Sequence, residues 1–252
     1  MSRAIVSVTN LKKAYDGKAA VDGVSFEVSP GEIFGILGPN GAGKTTTLEM
    51  METLREIDGG SIIIDGINVA KDPDAIKRII GVQPQTAAFN DKQTLSEIIT
   101  MFAAAYGEKV DPMELLKEVE LDEKANSFAE QLSGGQRQRL SIAAALVHSP
   151  KVFFMDEPTT GLDPQARRNL WDLTRMVQSK GVTVIMTTHY MDEAELLCDR
   201  VAIMDRGKII SMDTPKKLIR NLLAKGFTKE QKVEQANLED VFIDLTGKAL
   251  RD

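Results

Sequence analysis

Cysteine is almost absent from the sequence: Cys198 is the only one among 252 residues. A single thiol excludes a disulfide within the chain and any zinc site that needs several cysteines. Scarce cysteine is typical of a protein kept in a reducing cytosol. A lone cysteine is most often a small buried hydrophobic residue, and we expect Cys198 to be one.

Long apolar runs are missing as well. No stretch approaches the roughly 18 consecutive apolar residues that a membrane-crossing helix needs, and residues 1–4 do not begin a signal peptide. No lipidation motif stands at either end. We therefore expect a protein that is made and kept on the cytoplasmic side, and that attaches to a membrane only through a partner.

Positive charge is not in excess. The chain has 31 Lys and Arg residues against 37 Asp and Glu residues, a formal charge of −6, which argues against the extended basic surface that nucleic acid requires. We expect no nucleic-acid partner, although local basic patches are compatible with these counts. The length of 252 residues is sufficient for one large domain or for a domain with an insertion.

One glycine-rich segment stands out, between an apolar run at residues 33–37 and a helix-compatible stretch at 46–55. The order of strand, glycine loop and helix predicts a phosphate-binding loop, in which backbone N–H groups surround phosphate oxygens. The helix that follows adds its positive end. The segment consists of Gly38, Pro39, Asn40, Gly41, Ala42, Gly43, Lys44, Thr45 and Thr46.

Lys44 and Thr45 predict how this loop acts. Lys44 is placed to reach the β- and γ-phosphates, and Thr45 to place its hydroxyl on Mg²⁺, so the protein positions and neutralises a nucleotide and does not react with it covalently. The alternative is an ordinary glycine-rich turn. That alternative requires the pattern to arise by chance together with its flanking strand and helix, so we favour nucleotide binding.

Two acidic residues close a short apolar segment at 152–155, which is typical of a strand buried on both faces of a parallel sheet. Buried carboxylates need partners, and Mg²⁺ is one for Asp156, directly or through water. Because side chains alternate along a strand, we expect Glu157 to point elsewhere and to be free to take a proton from water.

Two further candidates lie at the ends of predicted strands. His189 follows the buried segment 182–186, and Gln85 follows the segment 79–82. A lone histidine at a strand end is more often structural, but the other strand-end candidates in this series favour a ligand-facing role for His189.

A second helix start and one aromatic ring leave alternatives open. Ser133, Gly134, Gly135 and Gln136 precede an apolar helix face, and they form either a second anion-binding helix end or a common helix cap. Tyr15 stands at a turn upstream of the phosphate loop. Its ring is either ordinary packing or surface, or a face on which adenine stacks.

The remaining patterns outline the domain organisation. Short strands at 5–8, 24–28, 61–64 and 67–69 predict a small antiparallel unit. Helical patterns dominate from about residue 88 to 150, which we interpret as an inserted helical subdomain. We expect one domain over residues 1–226, followed over 227–252 by a linker and a C-terminal helix.

Taken together, these motifs resemble the ATP-binding subunit of an ABC transporter over about residues 4–225. The Leu-Ser-Gly-Gly-Gln stretch at 132–136 separates this family from other phosphate-loop ATPases, and a Gly-Leu-Asp loop at 161–163 also matches. The resemblance implies an α/β fold of the phosphate-loop NTPase (RecA-like) type. Its parts are a mostly parallel core sheet, an antiparallel β subdomain and an inserted helical subdomain, and its cofactors are ATP and Mg²⁺.

The resemblance also implies a role for each site residue. Tyr15 stacks on adenine, Glu157 is the catalytic base and His189 contacts the γ-phosphate. Gln85 takes part in catalysis, and it senses Mg²⁺ and the membrane partner. Thr45 and Asp156 also bind Mg²⁺. In this family Ser133 to Gln136 of one subunit close over the ATP held by another, which implies a dimer, and a homodimer is the simplest form.

The partner that the resemblance implies is a separate transmembrane permease. Residues 238–242 are similar to tails of subunits that export drugs, lipids or polysaccharides, which favours export. Many such subunits carry a longer β-rich domain before the tail, and the gap at 226–237 leaves no room for one. The alternatives are a soluble ABC ATPase that acts on ribosomes or DNA, and a scaffold without catalysis. ABC ATPases that act on ribosomes usually have two cassettes in one chain, and those that act on DNA usually have coiled coils or zinc-binding cysteines. This sequence has none of these features. A scaffold without catalysis conflicts with intact Lys44, Asp156, Glu157 and His189.

Overall fold

The computed structural model describes residues 3–84 and 89–228. Gln85 and the predicted C-terminal helix therefore lie outside the described residues. The chain divides into one compact unit that ends at Leu218 and a second that begins at Ile219, within the last described helix. Apart from that helix, the features below belong to the first unit.

Ten strands form within the described residues. They are β1 (Val6–Tyr15), β2 (Lys18–Val28), β3 (Ile33–Leu37), β4 (Gly59–Ile64), β5 (Ile67–Asn68), β6 (Ile80–Gln83), β7 (Val152–Asp156), β8 (Thr183–Thr188), β9 (Arg200–Asp205) and β10 (Lys208–Asp213).

Eight α-helices connect or follow these strands in the same part of the chain, and short 3-10 helices lie at Asp122–Lys124 and Ala129–Gln131. The α-helices are α1 (Lys44–Met51), α2 (Pro73–Lys77), α3 (Leu95–Tyr106), α4 (Pro112–Glu118), α5 (Gly134–Leu146), α6 (Pro164–Ser179), α7 (Met191–Leu197) and α8 (Pro215–Ala224). No described helix is both long and apolar enough to cross a membrane.

The core sheet has the strand order β10-β9-β3-β8-β7-β6. Every neighbouring pair from β9 to β6 is parallel, and only β10 runs antiparallel at the edge. β3 and β8 are buried along their whole length, as expected for parallel strands that are covered on both faces. The predicted α/β fold with a mostly parallel core sheet is confirmed.

Alternate residues of β3 enter two different hydrophobic cores. Ile33 and Leu37 pack with the buried faces of α3, α5 and α6, whereas Phe34 and Ile36 pack with the second sheet and α1. Side chains of a strand point to opposite faces in turn, so one strand anchors both layers. Cys198 is buried in the first of these cores, as expected.

The second sheet is antiparallel, with the order β2-β1-β4-β5. β1 and β2 extend beyond the predicted segments, because the second half of β1 stays paired with the first half of β2 as far as Tyr15↔Lys18. Register shifts interrupt the pairing after Val8, and the polar side chains of this half are largely exposed. The extension places Tyr15 at the tip of the hairpin.

The helical segment begins as its local signals predict. Thr94 caps α3, and its hydroxyl accepts from the Glu97 N–H while the Glu97 carboxylate accepts from the Thr94 N–H. Gly107 ends the helix in the left-handed conformation, at φ 76°. Asp111 caps α4 by accepting a single hydrogen bond from the Met113 N–H.

Candidate active site

The glycine loop between β3 and α1 fits its surroundings only without side chains. A Cβ atom on Gly38 would lie 2.2 Å from the Met204 carbonyl oxygen, and one on Gly43 would lie 2.4 Å from the Ala20 carbonyl oxygen. Gly43 also has φ +100°, which side chains disfavour. The end of β9 and the β2 strand thus hold the loop closely, and α1 begins at its last glycine.

Lys44 is folded back into this loop. Only 4% of its surface is exposed, and its ammonium donates to the Gly38 oxygen at 2.9 Å and to the Pro39 oxygen at 3.2 Å. The same nitrogen lies 3.2 Å from Glu157 Oε1. A buried cation is therefore fixed at the centre of the loop, where phosphate oxygens would meet it.

The sequence interpretation extends the side-chain alternation of β7 to Glu157. The structure shows that the alternation stops before this residue. β7 ends at Asp156, and Glu157 takes a left-handed conformation at φ 45°. Its N–H is held by Thr187, at 3.2 Å from the carbonyl oxygen and 3.0 Å from Oγ1. The conformation turns the carboxylate towards Lys44, so Glu157 is ion-paired and not free.

The Glu157 carboxylate lies between two basic groups. Besides Lys44, the His189 Nδ1 lies 3.1 Å from Glu157 Oε2, although not at the angle of a well-formed hydrogen bond. Burial raises the pKa of Glu157, but the hydrogen bond and charge of Lys44, with a smaller part from His189, outweigh it and hold the pKa below its usual value. In this arrangement the carboxylate is ionised and a weak base.

Asp156 and Thr45 place oxygen atoms next to each other beside the loop. Thr45 Oγ1 lies 3.3 Å from Asp156 Oδ1, which also accepts a hydrogen bond from Thr187 Oγ1. A hydroxyl and a carboxylate are the hard oxygen donors that suit Mg²⁺, an ion that keeps several waters and takes the rest of its ligands from phosphates. The donor set therefore fits Mg²⁺. No group of three His, Cys, Asp or Glu side chains suited to a metal occurs in the described residues, and a Mg²⁺ site of this kind does not need one.

A cavity of about 450 Å³ opens over the loop. This volume is within the roughly 300–1,000 Å³ of ordinary small-molecule sites. Tyr15 lies at its rim with 38% of its surface exposed, and the ammonium of Lys13 and the guanidinium of Arg55 lie 5.8 and 5.6 Å from the ring centroid. The lining residues are Tyr15, Ala20, Asn40, Gly41, Gly43, Lys44, Thr45, Thr46 and Glu157.

The predicted second anion-binding end does not line this cavity. Ser133 caps α5, with its hydroxyl 3.3 Å from the Gln136 nitrogen, while Gln136 Oε1 accepts from the Ser133 N–H and from Lys124. A Cβ on Gly134 would meet no atom within 4 Å. The helix start is therefore a formed cap that leaves Gly134 open on its outer side.

Sequence patterns missed two residues that hold the site in place. Thr187 fixes both Asp156 and Glu157, and its place opposite Asp156 in the β7–β8 pairing follows only once the strand order is known. Gln138 donates to the carbonyl of Pro158 from inside α5. A polar residue two positions after the Ser-Gly-Gly-Gln stretch is the only signal the sequence offers for it.

Comparison with known proteins gives consistent matches. A family model described as ABC transporter matches residues 21–160, which is more than half of the chain. The Nod factor export ATP-binding protein I of Burkholderia pseudomallei is 42% identical over 87% of this chain and 74% of its own length. A linearmycin resistance ATP-binding protein of Bacillus subtilis is 40% identical over 86% of this chain and 72% of its own length.

Solved structures match the fold over nearly the whole chain. The ATP-binding subunit of an ABC transporter superposes with a TM-score of 0.78 and 30% identity, and the match covers 96% of this chain and 99% of that one. An ATP-binding cassette in its ADP conformation gives a TM-score of 0.80 with 26% identity, over 88% of this chain and 96% of that one.

Proposed function

The chain belongs to the ABC transporter family, and we propose that it works as an ATP-dependent dimer that drives export through a separate permease. Its activity is that of the family, the hydrolysis of ATP to power transport across a membrane. Export is supported by relatives named for Nod factor export and for linearmycin and daunorubicin/doxorubicin resistance. Those names give no support to the alternative, a soluble ATPase acting on ribosomes or DNA.

One observation carries the catalytic proposal: the Glu157 carboxylate lies within 3.2 Å of Lys44 and 3.1 Å of His189, at the edge of the phosphate-loop cavity. When phosphate oxygens of the nucleotide engage Lys44, Glu157 loses its strongest cationic neighbour and its pKa rises. A carboxylate with a higher pKa takes a proton from the attacking water more readily. His189 stays beside Glu157 and is placed to donate to the γ-phosphate.

The other residues of the site bind and orient. The backbone of residues 38–46 surrounds the phosphates, and Tyr15 stacks on adenine at the rim of the cavity. Thr45, Asp156 and Gln85 are the residues that would hold Mg²⁺, which when bound would neutralise charge on the phosphates. Ser133, Gly134, Gly135 and Gln136 complete the site of a second copy.

The permease provides the attachment to the membrane, at its cytoplasmic face. An apolar cleft of about 320 Å³ supports a docking site for a cytoplasmic segment of that permease. Pro84, Phe89, Phe102 and Tyr106 line the cleft, next to the place of Gln85 in the sequence. A partner seated there contacts both the core sheet and the helical subdomain, so its movement reaches the ATP site.

Separate measurements of binding and turnover test the catalytic proposal. Lys44→Ala should abolish tight ATP binding, because it removes the charge that faces the β- and γ-phosphates. Glu157→Gln should keep binding and lose hydrolysis, since the amide keeps the shape but is not a base. Lys151→Ala is a matched control, because it removes a lysine ion pair with Asp65 from the opposite end of β7. Normal turnover in Glu157→Gln would exclude Glu157 as the base.

A further inference from the structure

Gln138 joins the end of β6 to the loop after β7, next to the proposed catalytic residues. Its Nε2 donates to the Pro158 carbonyl at 2.7 Å, and its Oε1 accepts a hydrogen bond from Gln83 Nε2. Pro158 directly follows Glu157. Gln83 is the last residue of β6 and is only 1% exposed, and two residues later the chain reaches Gln85. The Gln138 amide thus contacts Pro158, which follows the proposed base, and the strand that leads to Gln85.

Both ends of the amide are used, which makes the contact directional. An amide donates through its nitrogen and accepts through its oxygen, and here each atom has its own partner. A carboxylate cannot donate to the Pro158 carbonyl, and an aliphatic side chain leaves that carbonyl unpaired. Since Pro158 has no N–H, its carbonyl is the only backbone group by which it can be held.

The contact also completes the support of a strained segment. Glu157 has φ 45°, a conformation that a non-glycine residue keeps only when its surroundings enforce it. Thr187 holds the segment at the Glu157 N–H, and Gln138 holds it one residue later at the Pro158 carbonyl. These two anchors come from β8 and α5, so α5 is a direct support of the Glu157 backbone.

The helix that carries Gln138 also carries the cap expected to meet ATP of a second copy. Gln138 lies in the second turn of α5, whose N-cap is Ser133. Near the same helix start, a Cβ on Gly135 would lie 3.1 Å from the Cβ of Ala166, so the first turns of α5 and α6 are in close contact. The Gln138 side chain therefore links α5 directly to the Pro158 carbonyl.

We propose that Gln138 is a positioning residue that couples engagement of α5 to the placement of the Glu157 carboxylate. The proposal rests on the function proposed above, with Glu157 as base and α5 facing the ATP of a partner. When the start of α5 contacts the nucleotide of the second copy, Gln138 holds the Glu157 carboxylate in position for catalysis. Without Gln138, ATP binds and the two chains associate, but the base is misplaced.

Gln138→Met tests this, because methionine has a similar length, packs flexibly and makes neither hydrogen bond. We expect kcat for ATP to fall by about tenfold or more while KM and ATP affinity change by less than about threefold. ATP-dependent association should persist when Glu157→Gln is added to block turnover. The matched control is Gln178→Met, since Gln178 also donates to a carbonyl, that of Gly31 at 2.9 Å, and to a side chain, Asp199 at 2.8 Å, away from the cavity.

The control separates positioning from stability. If Gln178→Met lowers the unfolding temperature as much as Gln138→Met but keeps the wild-type kcat, lost stability does not explain the effect. A wild-type kcat in Gln138→Met, or a parallel loss of kcat and ATP affinity in both variants, would overturn the proposal.

If Gln138→Met does not fold, Gln138→Glu decides in its place. This variant keeps the acceptor for Gln83 and loses the donor to Pro158, so the same selective loss of kcat is expected and a wild-type kcat refutes the proposal. Absence of ATP hydrolysis in the wild-type protein would instead refute the underlying function.

Discussion

At the scale of single residues, the main feature of the site is that one carboxylate is shared by two basic side chains. Glu157 contacts Lys44 and His189, and little of its side chain is exposed. A buried ion pair is costly to break from one side, because the remaining charge loses its partner. A nucleotide that takes Lys44 must therefore compete with Glu157 for it, and this competition lowers the affinity of the site for phosphates.

The competition predicts an effect on ADP binding. Glu157→Gln removes the negative charge next to Lys44, so ADP should bind about two- to tenfold more tightly than to the wild-type protein. ADP is used because it is not hydrolysed, which separates affinity from the trapping of ATP. Calorimetric titration measures the dissociation constant of ADP for both proteins. An affinity for ADP equal to or weaker than that of wild type would show that the ion pair does not oppose nucleotide binding.

The loop residues could be predicted from the sequence, but the orientation of Glu157 could not. The spacing of Gly38, Gly43, Lys44 and Thr45 is local, and its geometry follows from the missing side chains. Strand alternation predicts a free Glu157 side chain, but β7 ends at Asp156, one residue before the alternation would include Glu157. Its left-handed backbone depends on Thr187, which is 30 residues away in sequence.

At the scale of elements, α1 has a polar site at both of its ends. It starts at the phosphate loop, and the residue after its last turn, Glu52, is only 6% exposed. Burial, together with the nearby charges of Asp156 and Glu49, raises the pKa of Glu52 to about 8. The carboxyl group is therefore largely protonated in the folded protein at neutral pH, whereas in the unfolded chain it is ionised.

This pKa shift predicts how stability depends on pH. A carboxyl whose pKa is raised by folding favours the folded state fully below its unfolded value of 4.5, and this contribution is lost as pH rises through about 8. The full shift corresponds to at most about 5 kcal/mol. Glu52→Gln should therefore flatten the fall in the free energy of unfolding between pH 5 and pH 8, as measured by denaturant titration. Equal slopes in the variant and the wild type would contradict the raised pKa, and Glu114→Gln, on the exposed face of α4, is the control.

Most helices with a local start signal can be predicted, although α2 was missed despite its Asp72 cap and Pro73. The capping box at Thr94 and the Asp-Pro pairs that open α4 and α6 act within one helical turn. α7 has no side-chain cap, and its start directly after β8 gave no signal. The full length of β1 and β2 depends on pairing between strands, because neither the polar second half of β1 nor the mixed first half of β2 has a strand pattern of its own.

At the scale of the whole molecule, three neighbouring strands bring the site together. β3, β7 and β8 are adjacent and parallel, so the phosphate loop, the pair Asp156 and Glu157, and His189 all follow strand ends at one edge of the sheet. Ligands bind at this edge in sheets of this kind. The motif order predicts this clustering, since each candidate follows a predicted strand.

The stretch from Ser133 to Gln136 is the exception to this clustering. It opens α5, and none of its residues lines the cavity over the phosphate loop. Its cap is formed, and the outer side of Gly134 is open. A second copy of the chain, approaching with its own phosphate loop, is the occupant that the proposed function requires at this surface, and each ATP would then contact Lys44 of one chain and Ser133 of the other.

Mixing two inactive variants tests this shared site most directly. Lys44→Ala homodimers lack phosphate binding in both sites, and Ser133→Arg homodimers carry bulk and charge where the helix start should approach the γ-phosphate. A mixed dimer has one site with both changes and one site with an intact Lys44 and an intact Ser133.

The decisive measurement is ATP-dependent association of the two variants, each with its own tag, under conditions in which the wild-type protein dimerises. The shared-site account predicts that the mixture forms ATP-dependent dimers that contain both tags, whereas neither variant alone does. If the mixture forms no more ATP-dependent dimer than either variant by itself, each ATP site is not shared between two chains in this way.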